Sequence, residues 1–359
     1  MPDMIDIDDV AQAKILVEDC GPPVPPRWIG GRRGQLGNTD RNPYFKWKTR
    51  ANVQVHAWRL RNVVLDASTM LLLHGGQIIK ETNYHRHAYE LEAMRVDPAR
   101  LRRIETSQPV LICGDAWCTN HYHFLNHTLP AMDSALSRHG VAGVVMAEHM
   151  FRPAHVDLLR LLGHDGRQAY RIEPGLQYEI ADAEFCAYTV GVADFANSAH
   201  LQALHARLAA SVPEDLGSGA RLYISRLADK HRLTPNEPEL AEALRRRGFA
   251  IISPSELTPA QQIATFRAAR LIVAPHGAGL ANLAFCTPAA AYYEMMPESF
   301  INPCFLTLAV RRGMRAWIDA FPGDSAANDH TSDWRLDVQA VLARIEEIAP
   351  RPFYTRWFG

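Results

Sequence analysis

A histidine and two glycines directly follow an apolar segment in the second half of the chain. Residues 271–274 are all apolar, which is typical of a buried strand, and His276-Gly-Ala-Gly279 precedes a predicted helix. Gly277 and Gly279 allow the backbone to approach a ligand without a Cβ atom in the way. The first N–H groups of a helix lack partners within it, so they attract a negative group placed in the turn. The spacing therefore predicts an anion-binding site.

Further charged side chains lie where neighbouring predicted strands end. Arg226 follows the predicted strand at 222–225, Lys230 and Arg232 lie in the loop behind it, and Glu294 lies near the end of a later strand. Ligands of an open parallel sheet bind outside the carboxyl ends of its strands, so we expect these groups to lie close together. Cations and an imidazole can hold a diphosphate, and a carboxylate can accept hydrogen bonds from ribose hydroxyls. The pattern predicts a pocket for a nucleotide diphosphate.

Each of these residues also has a purely structural alternative. Arg226 and Arg232 could be solvated surface charges or could pair with Glu237. His276 could cap the turn, and Glu294 could form an ion pair with a nearby arginine. Their shared position at strand ends favours the binding site.

The first half of the chain contains a histidine-rich segment that is predicted to be a helix from about 121 to 138. Asn120, His123 and His127 are spaced i, i+3 and i+7, so they share one face, and we expect that face to point away from the core. Pro130 should kink the helix one residue before His127. Histidine titrates near neutral pH, so His127 or His123 is predicted to act in proton transfer. The opposite stripe is apolar: Tyr122, Leu125, Leu129 and Met132.

The same two histidines also have the i, i+4 spacing of helical zinc ligands. Against a metal site, the segment lacks the glutamate of an H-E-x-x-H motif, and no third ligand is evident in the sequence. Histidines without any chemistry are the remaining alternative. We therefore predict no bound metal.

The composition is that of a globular α/β protein. The chain has 359 residues, of which 47% are hydrophobic and 21% charged, and its net charge of −1 gives no global field for nucleic acid or a membrane surface. The acidic N-terminus has no apolar signal region, so we expect a cytoplasmic protein, at most peripheral at the inner membrane. The six cysteines are scattered, which predicts buried free thiols.

Strand and helix signals alternate in both halves, which predicts two Rossmann-like domains that face each other across a cleft. We expect a short antiparallel element in the N-terminal part, with Gly75-Gly76 at a hairpin turn. The Pro- and Gly-rich segment 212–220 marks the boundary between the halves. The predicted regions are an extended and hairpin region at 1–105, an acceptor-side domain at 106–211, a nucleotide-binding domain at 212–330, and a C-terminal segment at 331–359. Its helix is expected at 334–348, capped by residues 331–333 and packed back on the first domain.

Several of these motifs, taken in order, resemble glycosyltransferase family 61. They are Tyr122-His-Phe-Leu-Asn-His-Thr-Leu-Pro130, Leu222-Tyr-Ile-Ser-Arg226, and Ala274-Pro-His-Gly-Ala-Gly-Leu-Ala-Asn-Leu283 followed by Glu294. The resemblance extends over about residues 105–300, and the ordered combination is more specific than any single motif.

The resemblance implies a GT-B type fold and an inverting, metal-independent transfer of a hexosyl or pentosyl group from a nucleotide sugar to a saccharide or glycolipid hydroxyl. No other cofactor is implied. The family often has Asp or Glu where this chain has His127. The base that removes the proton of the acceptor hydroxyl is expected to be His127 or, failing it, His123. The donor-binding residues implied are Arg226, Lys230, Arg232, His276, Gly277, Ala278, Gly279, Asn282 and Glu294.

The absence of a membrane anchor in the sequence makes the chain similar to bacterial relatives that act in capsule or lipopolysaccharide assembly. Three alternatives stay open. A sugar-nucleotide hydrolase or epimerase would use the same phosphate pocket without an acceptor. A metal-dependent hydrolase would be built on the histidine cluster, and an inactive binding partner would bind the donor without turnover.

Overall fold

The computed structural model describes residues 3–21, 29–30, 52–84, 86–115, 117–138, 141, 143–147, 152–164, 168–213, 221–229, 233–322 and 333–349. The chain forms two compact units. Unit 1 comprises Met1–Pro23 and Arg50–Ser211, and unit 2 comprises Val24–Thr49 and Val212–Gly359. Each unit combines helices with a β-sheet, which confirms the predicted α/β class.

Unit 1 is built on a mixed sheet with the strand order β1-β6-β5-β4-β11-β8-β9-β10, to which β2 adds at β4 and β7 at β11. Strands β11, β8, β9 and β10 run parallel, whereas β2, β4, β5 and β6 pair antiparallel. With elements numbered in chain order, the strands are β1 Met4–Ile5, β2 Ala11–Cys20, β4 Val53–Asp66, β5 Leu72–His74, β6 Gln77–Ile79, β7 Leu101–Ile104, β8 Val110–Ile112, β9 Gly143–Ala147, β10 Gln168–Ile172 and β11 Gln177–Cys186.

The helices of unit 1 are mostly short. They are α1 Ile7–Val10, α2 Ala88–Ala93, α3 His121–His123, α4 Leu129–Ser137, α5 Pro153–Leu161 and α6 Ala199–Ala210.

The predicted hairpin is confirmed. Gly75 and Gly76 have φ angles of 58° and 87° and join β5 to β6, where His74 pairs with Gln77. Two successive positive φ angles match the right-handed twist of the strands, and glycine adopts them without steric cost. The extended region predicted before the hairpin contains a ten-residue strand, β2, which pairs with β4. Most residues of β2 are exposed or partly exposed, and only Cys20 at its end is buried. The Pro-rich segment that follows it lies outside the described residues.

Unit 2 is built on a parallel sheet with the order β13-β12-β14-β15-β16-β3. Nearly all residues of the central strands are buried, as expected for a sheet covered on both faces. The strands are β3 Ile29–Gly30, β12 Arg221–Ile224, β13 Ala250–Ile252, β14 Leu271–Pro275, β15 Ala291–Pro297 and β16 Arg315–Phe321. The helices are α7 Glu237–Arg245, α8 Pro259–Ala268, α9 Cys304–Arg311 and α10 Val338–Ile348, with a 3-10 helix at Ala278–Phe285.

The C-terminal helix differs from the sequence-based expectation. It begins at Val338 rather than 334, because the Asp337 side chain accepts a hydrogen bond from Ala340 N and caps it. Its apolar face packs with Tyr223, Leu240 and Trp334 in the core of unit 2. The prediction that it packs on the first domain was wrong, since strongly amphipathic periodicity shows that a helix has a partner but not which one.

Two further expectations can be compared with the structure. All six cysteines are buried and none forms a disulfide, as predicted. Among the helices of the described residues, none has the length and apolar character that crossing a membrane requires.

Candidate active site

The histidine-rich helix is built from three different helical forms in succession. The Asn120 side chain accepts a hydrogen bond from Tyr122 N and starts α3, a π-helical turn follows at Phe124–Thr128, and α4 continues from Leu129. Leu129 N donates to Phe124 O, five residues back. The sequence predicted a kink here, because Pro130 has no N–H group to continue the hydrogen bonds of an α-helix. The structure accommodates Pro130 with a π-helical turn, a form that often occurs at functional sites.

His127 lies fully buried between two carboxylates. Its Nδ1 is 3.0 Å from Asp115 Oδ2, and its Nε2 is 2.7 Å from Asp194 Oδ1. Tyr122 also donates its hydroxyl to Asp194 Oδ1, at 3.0 Å. The expectation that this helix face points away from the core was therefore wrong for His127. A periodicity argument treats histidine as polar, whereas burial is possible here because both ring nitrogens are bonded.

A close glycine keeps this pair in place. Gly191 has a φ of +66°, and a Cβ atom there would lie 2.8 Å from Asp194 Oδ2 and 3.0 Å from His127 Cε1. Any larger residue would be strained and would displace the buried imidazole or the carboxylate. The chain thus needs glycine at position 191 to pass this close to His127.

His123 is the accessible histidine of the cluster. Its Nδ1 is 2.9 Å from Asp115 Oδ2, and 16% of its side chain is exposed. Its Nε2 makes no hydrogen bond to any other residue that the structure describes. A carboxylate that binds Nδ1–H holds the neutral ring in the tautomer whose Nε2 can accept a proton. This arrangement suits a general base better than His127, whose two nitrogens are both occupied.

The sequence analysis missed both carboxylates, although a sequence signal exists for Asp115. Asp115 follows β8, and Asp194 follows β11 after a short 3-10 helix. These strands are parallel neighbours, so their carboxyl ends meet at one edge of the sheet. The strand-end rule that selected Arg226 and His276 in unit 2 would also have selected Asp115.

The charges of the cluster support one another. Burial opposes the charged imidazolium, but the Asp194 carboxylate and hydrogen bonds to both carboxylates outweigh it and raise the pKa of His127 to about 10. Burial also opposes the charged form of Asp115, but hydrogen bonds from His123 and His127 hold the pKa of that carboxyl well below its usual range. The charge of His127 likewise lowers the pKa of Asp194 against the effect of burial. At neutral pH, His127 is therefore a buried cation between two anions.

This charge arrangement predicts an asymmetric dependence of stability on pH. The folded-state pKa of His127 is raised from 6.5 to about 10, so its contribution is complete below pH 6.5 and is lost as the pH rises through about 10. The carboxylates contribute above their ordinary pKa of 3.8 and lose that contribution in acid. We expect the melting temperature to fall between pH 7 and 10, and to fall less steeply in His127→Gln. Parallel pH curves for the two proteins would contradict this account.

Aromatic rings enclose the two imidazoles. Tyr84 meets His123 and His127 edge-on, with ring centroids 5.4 Å apart in each case, and Tyr122 does the same at 5.8 and 5.6 Å. The two imidazoles lie at 74° to each other, with centroids 4.7 Å apart. These contacts restrict the rotation of both rings and keep water away from His127.

The same residues form a group that could hold a metal ion. Ligand atoms of Asp115, His123 and His127 all lie within 4.8 Å of one another, so Asp115 is the third ligand that the sequence did not reveal. However, Asp115 Oδ2 and both nitrogens of His127 are already used in hydrogen bonds. A metal would have to replace some of these bonds and displace the proton of a histidine with a raised pKa.

In unit 2, the predicted site residues surround a topological switch point. If strands β12 to β16 are numbered 1 to 5 along the chain, their order in the sheet is 2-1-3-4-5. This is a doubly wound order with its switch point between β12 and β14. Arg226 follows β12 and His276 follows β14. Glu294 lies within β15, in register with Ala274. Crevices at such switch points are the usual ligand sites of this architecture.

The structure brings Arg226, His276 and Glu294 into one buried polar cluster. Arg226 Nη1 donates to His276 O in a short hydrogen bond, and Arg226 Nε lies 2.9 Å from Asp229 Oδ2. His276 Nδ1 lies 2.6 Å from Glu294 Oε1. Glu237, the alternative partner of Arg226, accepts a hydrogen bond from the Arg226 backbone N–H at 2.8 Å. The three predicted residues thus join the ends of β12, β14 and β15.

Glu294 is fully buried, and its bond to His276 orients that imidazole. This differs from the role predicted from sequence, in which Glu294 binds ribose hydroxyls, because a carboxylate without exposed surface cannot reach a ligand directly. His276 and Arg226 are also buried, at 5% and 7% exposure. Burial lowers the pKa of Arg226, while the charges of Asp229 and Glu237 act in the opposite direction.

The two glycines of the motif make room for side chains of unit 2. A Cβ atom on Gly277 would lie 2.7 Å from Arg226 Nη1, and one on Gly279 would lie 2.9 Å from Pro254 Cγ. The sequence-based interpretation assigned this space to a ligand, whereas the structure fills it with Arg226 and Pro254. The turn is followed by a 3-10 helix rather than an α-helix, and Leu280 N donates to Gly277 O.

The remaining predicted donor residues differ in position. Asn282 is buried and donates to Gln262 Oε1 and Gly279 O, so it holds the 3-10 helix against α8. Ala278 and Gly279 are partly exposed. Lys230 and Arg232 lie outside the described residues.

An orienting carboxylate beside an accessible imidazole, and a polar switch point in a parallel sheet, are features of an α/β enzyme. Residues 121–293 match the model of the glycosyltransferase 61 family, which is just under half of the chain. This match supports the assignment of the chain to the glycosyltransferases as a class of enzyme. Asp115 and Glu294 lie just outside the matched segment. No curated protein sequence matches the chain significantly.

Proposed function

We propose that the protein is an inverting, metal-independent glycosyltransferase that moves a sugar from a nucleotide diphosphate to a saccharide hydroxyl. The observation that carries this proposal is the cluster of Arg226, His276 and Glu294 at the switch point of a parallel sheet. A transferase needs positive and dipolar groups where charge develops on the leaving diphosphate. A GT-B arrangement of the two units, with the donor on unit 2 and the acceptor on unit 1, belongs to the same proposal.

In this mechanism, the buried cluster shapes the donor site and the turn beside it contacts the ligand. Glu294 orients His276, and Arg226 fixes the turn through the His276 carbonyl. The backbone amides of Gly277, Ala278 and Gly279 then bind the diphosphate in this proposal, with Lys230 or Arg232 as the cationic partner. These groups stabilise the leaving group without a metal ion.

His123 is the proposed base. Asp115 holds its Nδ1–H, so Nε2 takes the proton from the acceptor hydroxyl as that oxygen attacks the anomeric carbon. The bond from the anomeric carbon to the diphosphate oxygen breaks on the opposite face, and the configuration inverts. His127 stays protonated and anchors Asp115 and Asp194. A cytoplasmic role in bacterial surface-polysaccharide synthesis fits this reaction and is part of the proposal.

The donor site can be tested by the thermal stability of the protein with a panel of nucleotide diphosphates. A ligand that binds only the folded state stabilises it by about 2.7 kcal/mol at 100 times its Kd. We expect at least one nucleotide diphosphate to raise the melting temperature, and Gly277→Ala to weaken this effect by displacing the Arg226 guanidinium. In the control Gly21→Ala, the new Cβ atom would make an ordinary 3.5 Å contact with Asn197. No shift with any nucleotide would contradict the proposal.

A metal-dependent hydrolase is the second possibility, and it is favoured by the close grouping of Asp115, His123 and His127. Stoichiometric zinc in the purified protein and loss of activity in a chelator would support it. Full transferase activity in a chelator, with product formed only when an acceptor is present, would exclude both this alternative and a sugar-nucleotide hydrolase. Donor binding without transfer to any acceptor would instead indicate an inactive binding partner.

A further inference from the structure

Trp117 lies six residues before the proposed base His123 in the chain and is exposed, unlike the other tryptophans that the structure describes. Its exposed fraction is 51%, whereas Trp58, Trp317 and Trp334 are at most 7% exposed. A single exposed apolar side chain is common in soluble proteins and would need no explanation on its own. Trp117 differs from such a residue because it lies between β8 and the helix of His123, and because its backbone N–H binds Asp115.

The carboxylate that orients His123 also fixes the backbone of Trp117. Trp117 N donates to Asp115 Oδ1 at 2.5 Å, while Asp115 Oδ2 is 2.9 Å from His123 Nδ1. The two oxygens of one buried carboxylate therefore link the aromatic residue and the base. Three N–H groups hold Asp115, so this carboxylate fixes the backbone of Trp117 relative to the His123 ring.

The turn that carries Trp117 is anchored at further points. Cys118 N donates to Asp115 O, and Asn120 N donates to Trp117 O at 2.7 Å. Cys118 is fully buried, whereas Trp117 beside it faces the solvent. Thr119 and Asn120 follow Trp117 in the chain, are partly or fully exposed, and add a hydroxyl and an amide to the same turn. The result is an exposed indole on an anchored backbone turn, located where the chain leads from β8 into the helix of His123.

We propose that Trp117 is a stacking platform for the sugar ring of the acceptor, and that it positions an acceptor hydroxyl near His123 Nε2. This inference rests on the proposed transferase function. A pyranose ring has apolar C–H faces and a polar rim of hydroxyls, so an indole can cover one face while the rim bonds to polar groups or water. Since hydrogen bonds fix the backbone of the turn in advance, binding has to order only the indole side chain.

The test compares Trp117→Ala and Trp117→Phe in steady-state kinetics with an acceptor saccharide that supports turnover. We expect Trp117→Ala to raise the acceptor KM about 5- to 50-fold, with the donor KM unchanged, and Trp117→Phe to have a smaller effect. Tyr89→Ala is the matched control, because Tyr89 is an aromatic residue of unit 1 with 70% exposure. An unchanged acceptor KM in Trp117→Ala would overturn the platform.

A binding measurement separates this inference from the proposed function. Saccharide binding should change the tryptophan fluorescence of the wild-type protein, and Trp117→Phe should lose that change while keeping its melting temperature. The nucleotide-diphosphate shift is measured on the same variants. If the shift is present but the saccharide response is the same in Trp117→Phe, only the platform fails; if no nucleotide binds even the wild type, the proposed function fails.

Discussion

Replacing His123 by alanine is expected to lower kcat by about 10²- to 10⁴-fold, which is the usual contribution of a positioned general base. The donor KM should change little, because the nucleotide is proposed to bind to unit 2. His123 is also partly exposed, so its loss should leave the fold intact. Steady-state kinetics with donor and acceptor, together with a melting curve, provide the measurement.

His121→Ala is the matched control for this substitution. His121 starts the same helical segment, two residues from His123, and is also partly exposed, but it is not part of the Asp115 cluster. A general loss of helix stability would affect both variants, whereas loss of the base affects His123→Ala alone. If His123→Ala keeps its turnover and His127→Gln loses it without unfolding, then His127 is the base and the assignment here is wrong.

The change Asp115→Asn should reduce both stability and activity strongly. Asp115 accepts hydrogen bonds from Trp117 N, His123 and His127, and an asparagine NH₂ group would face at least one of these donors. The buried His127 cation would also lose one of its two counter-charges. Breaking a buried ion pair in this way typically costs about 3 to 5 kcal/mol. The effect on kcat should reach about 10⁴-fold, since the base loses the group that sets its tautomer.

Stability and catalysis can be separated with a second buried carboxylate of unit 1. Asp133 binds His164 and Arg207 in a separate network between α4 and α6, and hydrogen bonds from these partners overcome burial and lower its pKa to about 2. Asp133→Asn should therefore destabilise the protein while each folded molecule keeps its activity. Equal activity per folded molecule in Asp115→Asn and wild type would show that Asp115 only stabilises the fold.

Local sequence patterns were enough to predict most of the regular structure near the sites. Apolar runs identified strands such as β14, and glycine pairs identified the β5–β6 turn. Buried strands and positive φ angles leave strong local signals because they depend on residue type at fixed spacing. Strand β2 and helix α9 were not identified from the sequence.

The sequence predicted contacts between distant side chains only where a single rule of sheet topology was sufficient. Arg226, His276 and Glu294 meet because parallel strands end at one edge of a sheet, and a parallel sheet was predicted from the sequence. By contrast, no spacing in the chain connects Asp194 to His127, which are 67 residues apart.

By itself, the sequence determined the α/β class, the strand-end motifs and the resemblance to a glycosyltransferase family, because these depend on residue types at short separations. Only the tertiary structure decided which histidine is accessible, where the C-terminal helix packs, and that Arg226 rather than a ligand occupies the space at Gly277. Burial and hydrogen-bond partners arise from contacts between distant segments. The charge state of His127 and the orientation of His123 follow from those contacts.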